Sequence, residues 1–302
     1  MRTISADIHE LIHTLYPEFK TVLNPSRTLQ VPGCRVIRPL GSGARSTIWQ
    51  VRNRQSGEEF ALKRVLRHDS SDQRFLDQVT NEFHVAQHLD HPVIRKIYRL
   101  RKIRKFLRVS ELHLFMELCA GESLQDRRPT LIRDVMHIFT RVAEAVAYVN
   151  ATGWVHADLK PNNILVAEDG TVKIIDLGQS CRLGKIKERI QGTPDFIAPE
   201  QVKRQPLDAR TDVYNFGATL YWVLAGKPIT TVLPKQSQVT LKADLATQPP
   251  DHINPDVPPA LSKLVLDCIE LRPKRRPETM DAVVSRLGLI RRALAKTGPR
   301  RA

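Results

Sequence analysis

A two-lobed α+β fold, with a small β-rich lobe over residues 33–117 and a larger helical lobe over 118–290, is predicted by three observations. Short apolar runs separated by glycine-containing turns occupy the chain from Cys34 to Val65. A single helical period interrupts the strands, and beyond Gly121 helical periodicity takes over. The chain has 302 residues, 41% apolar and 26% charged, which is enough for one large or two modest cores and too balanced for disorder.

Taken in order, residues 1–32 form a leader in which Ile4, Ile8, Leu11, Ile12 and Leu15 recur at helical spacing, with Ser5 placed to cap and Pro17 to stop a short amphipathic helix. Strands follow at Cys34 to Leu40, Thr47 to Arg52 and Glu59 to Val65, with turns at Gly41-Ser42-Gly43 and Ser56-Gly57. A helix is expected from Asp72 to Leu89, because Phe75, Val79, Phe83 and Ala86 share a face and His91-Pro92 ends it. Two strands should bracket the basic run Arg99 to Arg108, the second closing at His113 to Glu117. Helices then fit residues 131–152, 212–224, 260–270 and 280–294, and the basic tail, residues 291–302, should fray.

Composition excludes several classes. Apolar stretches such as Phe216 to Ala225 fall short of the roughly 20 residues that span a bilayer. Asp7 and Glu10 interrupt the apolar run nearest the start, so no signal peptide is expected and a cytoplasmic protein is. Cys34, Cys119, Cys181 and Cys268 are scattered without zinc-like spacing and are expected to be reduced thiols. The net charge of +15 draws anions of any kind. A solvated basic face explains it, and a nucleic-acid contact through Arg99 to Arg108 rests on charge alone.

The chemistry is concentrated in His156-Ala157-Asp158-Leu159-Lys160-Pro161-Asn162-Asn163, followed by Asp176-Leu177-Gly178. These place a carboxylate, a cation, an amide and a second carboxylate on neighbouring turns, the equipment for moving a phosphoryl group from a magnesium-bound nucleotide. Upstream, Leu40-Gly41-Ser42-Gly43-Ala44-Arg45-Ser46 joins two strands, and its glycines let backbone N–H groups approach phosphates. Lys63 ends the apolar strand Phe60-Ala61-Leu62 and needs a partner if it faces inward; Glu82, on the following helix, is the candidate.

With these residues in this order, the chain from Cys34 to Leu287 resembles the protein-kinase superfamily, in its serine/threonine branch and bacterial style. The resemblance implies the bilobal kinase fold and transfer of the ATP γ-phosphate to serine or threonine hydroxyls of protein substrates. It implies that Asp158 orients and deprotonates the acceptor hydroxyl, that Lys160 neutralises the transferring group, and that Thr193, in Gly192-Thr193-Pro194, aligns them. Lys63 and Glu82 would hold the nucleotide phosphates, and Asn163 and Asp176 would ligate magnesium, with manganese as a substitute. Adenine would meet the backbone of Met116, Glu117, Leu118 and Cys119 between Leu40, Ile48, Ala61 and Leu165, with Gly41, Ser42, Gly43 and Ala44 over the phosphates. Glu200 would pair with Arg276, and Asp212 would hold the catalytic loop.

Two positions depart from the family pattern. Ala157 stands where the arginine that receives an activation-loop phosphate is usual, and Leu177 where phenylalanine is commoner. Between Gln179 and Gln191 only Ser180 could accept a phosphate, so the loop is expected to be ordered without one, through Arg182, Lys185, Lys187, Glu188 and Arg189. The basic loop also suggests acidic surroundings at the acceptor. The alternative is a pseudokinase scaffold that binds ATP without efficient transfer, motivated by Ala157.

Overall fold

The computed structural model describes residues 29–43, 45–229 and 247–297. The leader helix, Ala44 and the end of the basic tail, residues 298–302, lie outside them.

The first lobe is an antiparallel sheet of β1 (Cys34–Ser42), β2 (Ser46–Asn53), β3 (Glu59–Leu66), β4 (Ile97–Lys105) and β5 (Arg108–Glu117), in the order β1-β2-β3-β5-β4. Strand alternation explains its two packed faces. Ala61 and Val65 of β3 point to one apolar cluster with Leu76 and Val79, while Leu62 points to the other, with Val51 and Phe115. Lys63 has the parity of Ala61 and Val65, so period-two geometry aims it at the helix rather than at solvent.

That helix, α1 (Gln73–Ala86), follows a 3-10 turn at Ser70–Asp72. Asp69 accepts the Ser71 N–H, and the buried Asp72 carboxylate accepts the His68 N–H at 2.9 Å. The buried stripe is Leu76, Val79, Glu82 and Val85. The expected face of Phe75, Phe83 and Ala86 is only partly buried and flanks it. Val79, the fourth residue of the expected face, is buried in the stripe, which also takes in Glu82, the partner of Lys63. The basic run also lies elsewhere than expected: it is not bracketed by strands but forms most of β4 and the turn into β5. β4 is the sheet's edge, where charged side chains face water and discourage pairing with other chains.

The second lobe contains β6 (Glu122–Ser123), α2 (Ile132–Ala151), β7 (Trp154–Val155), β8 (Ile164–Val166), β9 (Val172–Ile174), β10 (Cys181–Arg182), α3 (Pro199–Val202), α4 (Ala209–Ala225), α5 (Pro250–Ile253), α6 (Pro259–Cys268) and α7 (Met280–Thr297). Phe139 of α2 and Phe216 of α4 meet edge to face at 5.5 Å in the centre of its core. Helix α4 starts before the expected Asp212 because Asp208 caps it, accepting the Arg210 N–H at 2.8 Å. Helix α7 continues to Thr297, so residues 291–297 are helical rather than frayed. Among the described residues no helix is long and apolar enough to cross a membrane, and the four cysteines are free thiols.

Candidate active site

The catalytic string folds as it does because a buried carboxylate organises its backbone. Asp212, on α4, accepts the His156 and Ala157 N–H groups, each at 2.8 Å, and the Asn150 amide at 2.7 Å. Burial pushes the Asp212 carboxyl up from its ordinary range, against those N–H donors. Ala157 is forced to φ +61°, a left-handed conformation uncommon for a residue with a side chain. Its carbonyl accepts the Gln201 side-chain amide at 2.8 Å.

Within this frame Asp158, Lys160 and Thr193 form a closed triangle. The Lys160 ammonium donates to Asp158 Oδ2 at 2.9 Å and to Thr193 Oγ1 at 2.8 Å, and the Thr193 hydroxyl donates to Asp158 Oδ1 at 3.0 Å. Burial raises the Asp158 carboxyl above its ordinary value, although Lys160 opposes this. The Asn163 amide donates to the Asp158 carbonyl at 2.9 Å, which leaves its oxygen as the remaining polar end.

Across the cleft, Lys63 Nζ lies 2.7 Å from Glu82 Oε2, both side chains buried or nearly so. Burial works against the Lys63 charge, but Asp176 and Glu82 outweigh it and hold the ammonium above its usual range. Burial likewise opposes the charge of Asp176, yet Lys63, the Gly178 N–H and Lys160 keep its carboxyl below the ordinary value. Asp176 therefore stays ionised although it is half-buried. With the Asn163 amide oxygen it supplies two hard oxygen donors, and magnesium, which keeps water and phosphate ligands, suits so small a set. Gly178 leaves room for α1: a Cβ there would lie 2.8 Å from Gln78 Cγ and would force that side chain to move.

The residues expected around adenine are partly assembled by strand pairing. Ala61 sits opposite Met116 across β3 and β5, and both join Ile48 and Leu118 in one apolar cluster. Leu40 is exposed on β1, and Leu165 comes from β8 in the other lobe. Gly41 and Ser42 pair with Ile48 and Thr47, and the Gly43 N–H closes the turn onto Ser46 O at 2.8 Å. Glu117 holds the junction through Lys173 of β9, at 2.6 Å. Burial pushes the Cys119 thiol up to about 11.

Several residues were not legible as functional. Arg95 is buried, its Nη2 lies 3.8 Å from Glu82 Oε1, and it donates to the carbonyl of Ile175, the residue before Asp176. It turns the expected Lys63–Glu82 pair into a three-membered cluster tied to the Asp176 strand. Gln201 links the Ala157 carbonyl to the Gln191 carbonyl and, through its oxygen, to the Ala198 N–H. Asn150 was also missed. A sequence scan for buried amides on helices that end near the catalytic string is the signal that could have found the last two.

The activation segment is held by backbone pairing, by apolar contacts and by the side chains of Arg182 and Lys187. β10 pairs with β7, and the Arg182 guanidinium stacks over Trp154 at 4.0 Å. Lys187 donates to the Gln179 carbonyl, and Lys185 joins by its backbone, accepting the Leu207 N–H at 3.1 Å. Glu188 and Arg189 lie exposed. Ala157 packs with Val155, Cys181 and Leu207. Ser180 is buried and donates to the His156 carbonyl at 3.2 Å. Farther on, Arg276 forms a two-pronged bond to Glu200, at 2.7 and 2.9 Å.

The protein kinase domain family matches residues 34–287, and the chain belongs to that family. It is 26% identical to a probable serine/threonine-protein kinase of Clostridium acetobutylicum over 85% of this chain and 40% of that one. It is 27% identical to the serine/threonine-protein kinase PknA of Mycobacterium tuberculosis, over 76% of this chain and 55% of that one. The serine/threonine-protein kinase ATG1c of Arabidopsis thaliana is 28% identical over 78% of this chain and 32% of its own length. The chain thus spans between about a third and just over half of these relatives.

Proposed function

We propose that the protein transfers the γ-phosphate of ATP to serine or threonine hydroxyls of protein substrates, and that it does so without a phosphate on its activation loop. The observation that carries this reading is the Asp158–Lys160–Thr193 triangle, closed within 3.0 Å, facing a formed Lys63–Glu82 pair. Asp158 orients the acceptor hydroxyl and takes its proton, and Lys160 offsets charge on the transferring group. General-base groups of this kind contribute roughly 10²- to 10⁴-fold. Lys63 binds the nucleotide phosphates, Asn163 and Asp176 hold magnesium or manganese, and the backbone of residues 116–119 takes the adenine. Magnesium held by Asn163 and Asp176 would supply positive charge to offset the negative charge that develops on the transferring phosphoryl group.

Independence from loop phosphorylation is supported by two features that go together. Ala157 fills an apolar pocket where a phosphate receiver would otherwise stand, and the acceptor-capable Ser180 is buried with its hydroxyl bonded. The exposed basic side chains Lys185 and Arg189 favour acidic flanks at the acceptor; a peptide array that preferred basic flanks would refute this.

The test is transfer of labelled γ-phosphate to a generic protein substrate and to the kinase itself, using phosphatase-treated protein with magnesium, alongside Asp158→Asn. Transfer by the treated wild type and loss in the variant are expected. Tight, magnesium-dependent ATP binding without transfer would overturn the reading, in favour of a scaffold or of an enzyme that needs an activator.

A further inference from the structure

The outer end of the β4–β5 hairpin has no packing partner among the described residues. β3 stops at Leu66, opposite Glu111, and the Arg67 N–H still reaches the Ser110 carbonyl at 2.9 Å; beyond Ser110, β4 and β5 continue as a two-stranded ribbon, with Arg104 opposite Val109 and Lys105 opposite Arg108. Phe106 and Leu107 form the two-residue turn and are 101% and 96% exposed. Phe106 has φ +53°, a region in which glycine or asparagine is the usual occupant of a hairpin turn. A bulky aromatic there opposes local backbone preference, so its side chain answers to something other than the turn. Behind the tip, Arg101, Lys102, Arg104, Lys105 and Arg108 have no ion pair among the described residues. The acid nearest on the hairpin, Glu111, is already engaged by Arg64 and His113.

We propose that this hairpin end docks the protein on an anionic lipid bilayer, with Phe106 and Leu107 entering the boundary between headgroups and acyl chains and the cations at the level of the lipid phosphates. Two adjacent apolar side chains on a fully exposed turn fit a deformable planar apolar phase. A collar of one sign of charge complements the anionic plane above that phase. Nucleic acid would use the collar but has no apolar layer for Leu107. The nucleotide-binding junction is at the other end of β5, a strand of 10 residues, so it lies about 30 Å from the tip and stays accessible. One such tip gives reversible attachment, governed by salt and by lipid charge.

The test is cosedimentation of the full 302-residue chain with vesicles of phosphatidylcholine alone and of phosphatidylcholine with phosphatidylserine. Binding to the second and not the first is expected. Phe106→Ser with Leu107→Ser should weaken it tenfold or more while leaving phosphoryl transfer unchanged. Phe106→Gly gives a separable signature: it relieves the backbone, so the thermal midpoint holds or rises while vesicle binding falls. If the double variant binds anionic vesicles as well as the parent, only bulk charge is at work and the proposal fails. It fails equally if the parent binds no vesicles, or if the tip substitutions weaken capture of an RNA oligonucleotide or an acidic protein and leave vesicle binding intact.

Discussion

Two buried ion-pair centres, one in each lobe, begin from the same N···O distance of 2.7 Å and are finished differently. At Glu200–Arg276 both carboxylate oxygens are bonded, and Thr211 adds a third donor. The guanidinium also reaches the carbonyls of Glu270, Arg210 and Leu271. At Lys63–Glu82–Arg95, by contrast, Glu82 Oε1 and Arg95 Nε have no hydrogen-bond partner among the described residues. The first centre is saturated and acts as a fixed strut. The second keeps unsatisfied polar capacity, so displacing its members costs fewer hydrogen bonds than displacing those of the strut.

The sharpest way to break the contrast is to remove one member of the saturated centre. Arg276→Leu leaves the Glu200 carboxylate buried without its cation, and chemical denaturation should show a loss of about 3–5 kcal/mol. Adding Glu200→Met should recover much of it; no recovery would mean that the carbonyl contacts of Arg276, not the ion pair, carry the strut.

A third centre, partly exposed, calibrates the pair. Burial opposes the Glu111 charge, but His113 and the two-pronged Arg64 hold its carboxyl down at about 2. Its folded value is below its unfolded one, so its contribution is complete above the unfolded value of 4.5 and is lost as pH falls through about 2. After allowance for solvent screening this is on the order of 2 kcal/mol. Glu111→Gln should therefore lower stability at neutral pH and converge on the parent in acid, which parallel denaturation curves at pH 7 and pH 2 would read.

Arg95→Met tests the unsaturated centre. Transfer should fall about tenfold, or roughly 1.4 kcal/mol of barrier, because Glu82 and the Ile175 carbonyl lose their shared tie. Arg95→Lys should restore part of it, and combination with Lys63→Arg should be non-additive. Equal rates for parent and Arg95→Met would reduce Arg95 to a packing residue. The smallest effect belongs to Ser180→Ala, which removes one buried hydrogen bond worth about 1 kcal/mol; thermal melts should register it while transfer by phosphatase-treated protein persists.

The catalytic string and the glycine turn were legible because their logic is local: Asp158, Lys160 and Asn163 fall within one loop, and Gly41 to Gly43 within one turn. The order of lobes followed from a change of period. Arg95 was not legible, because it stands among Ile94 and Lys96 in a polar-looking stretch while its partners lie 13 and 80 positions away. On α1, Val79 is buried as expected, but Leu76, Glu82 and Val85 replace Phe75, Phe83 and Ala86 on the inner face for a related reason. A search for apolar stripes passes over Glu82, although the pairing that neutralises it is what turns that face inward. The basic run was mistaken for a connection because an edge strand can carry charge where an inner strand cannot.

Cys119 gives the junction a built-in reporter. A thiol held near 11 is ionised to only about one part in 10⁴ at neutral pH, so alkylating reagents should pass it by while the lobes stay packed. Any swing that wets the junction lowers that barrier and lets the thiolate form. The rate at which Cys119 takes up iodoacetamide, followed by peptide mass, then becomes a clock for interlobe opening, and a nucleotide that closes the cleft should slow it.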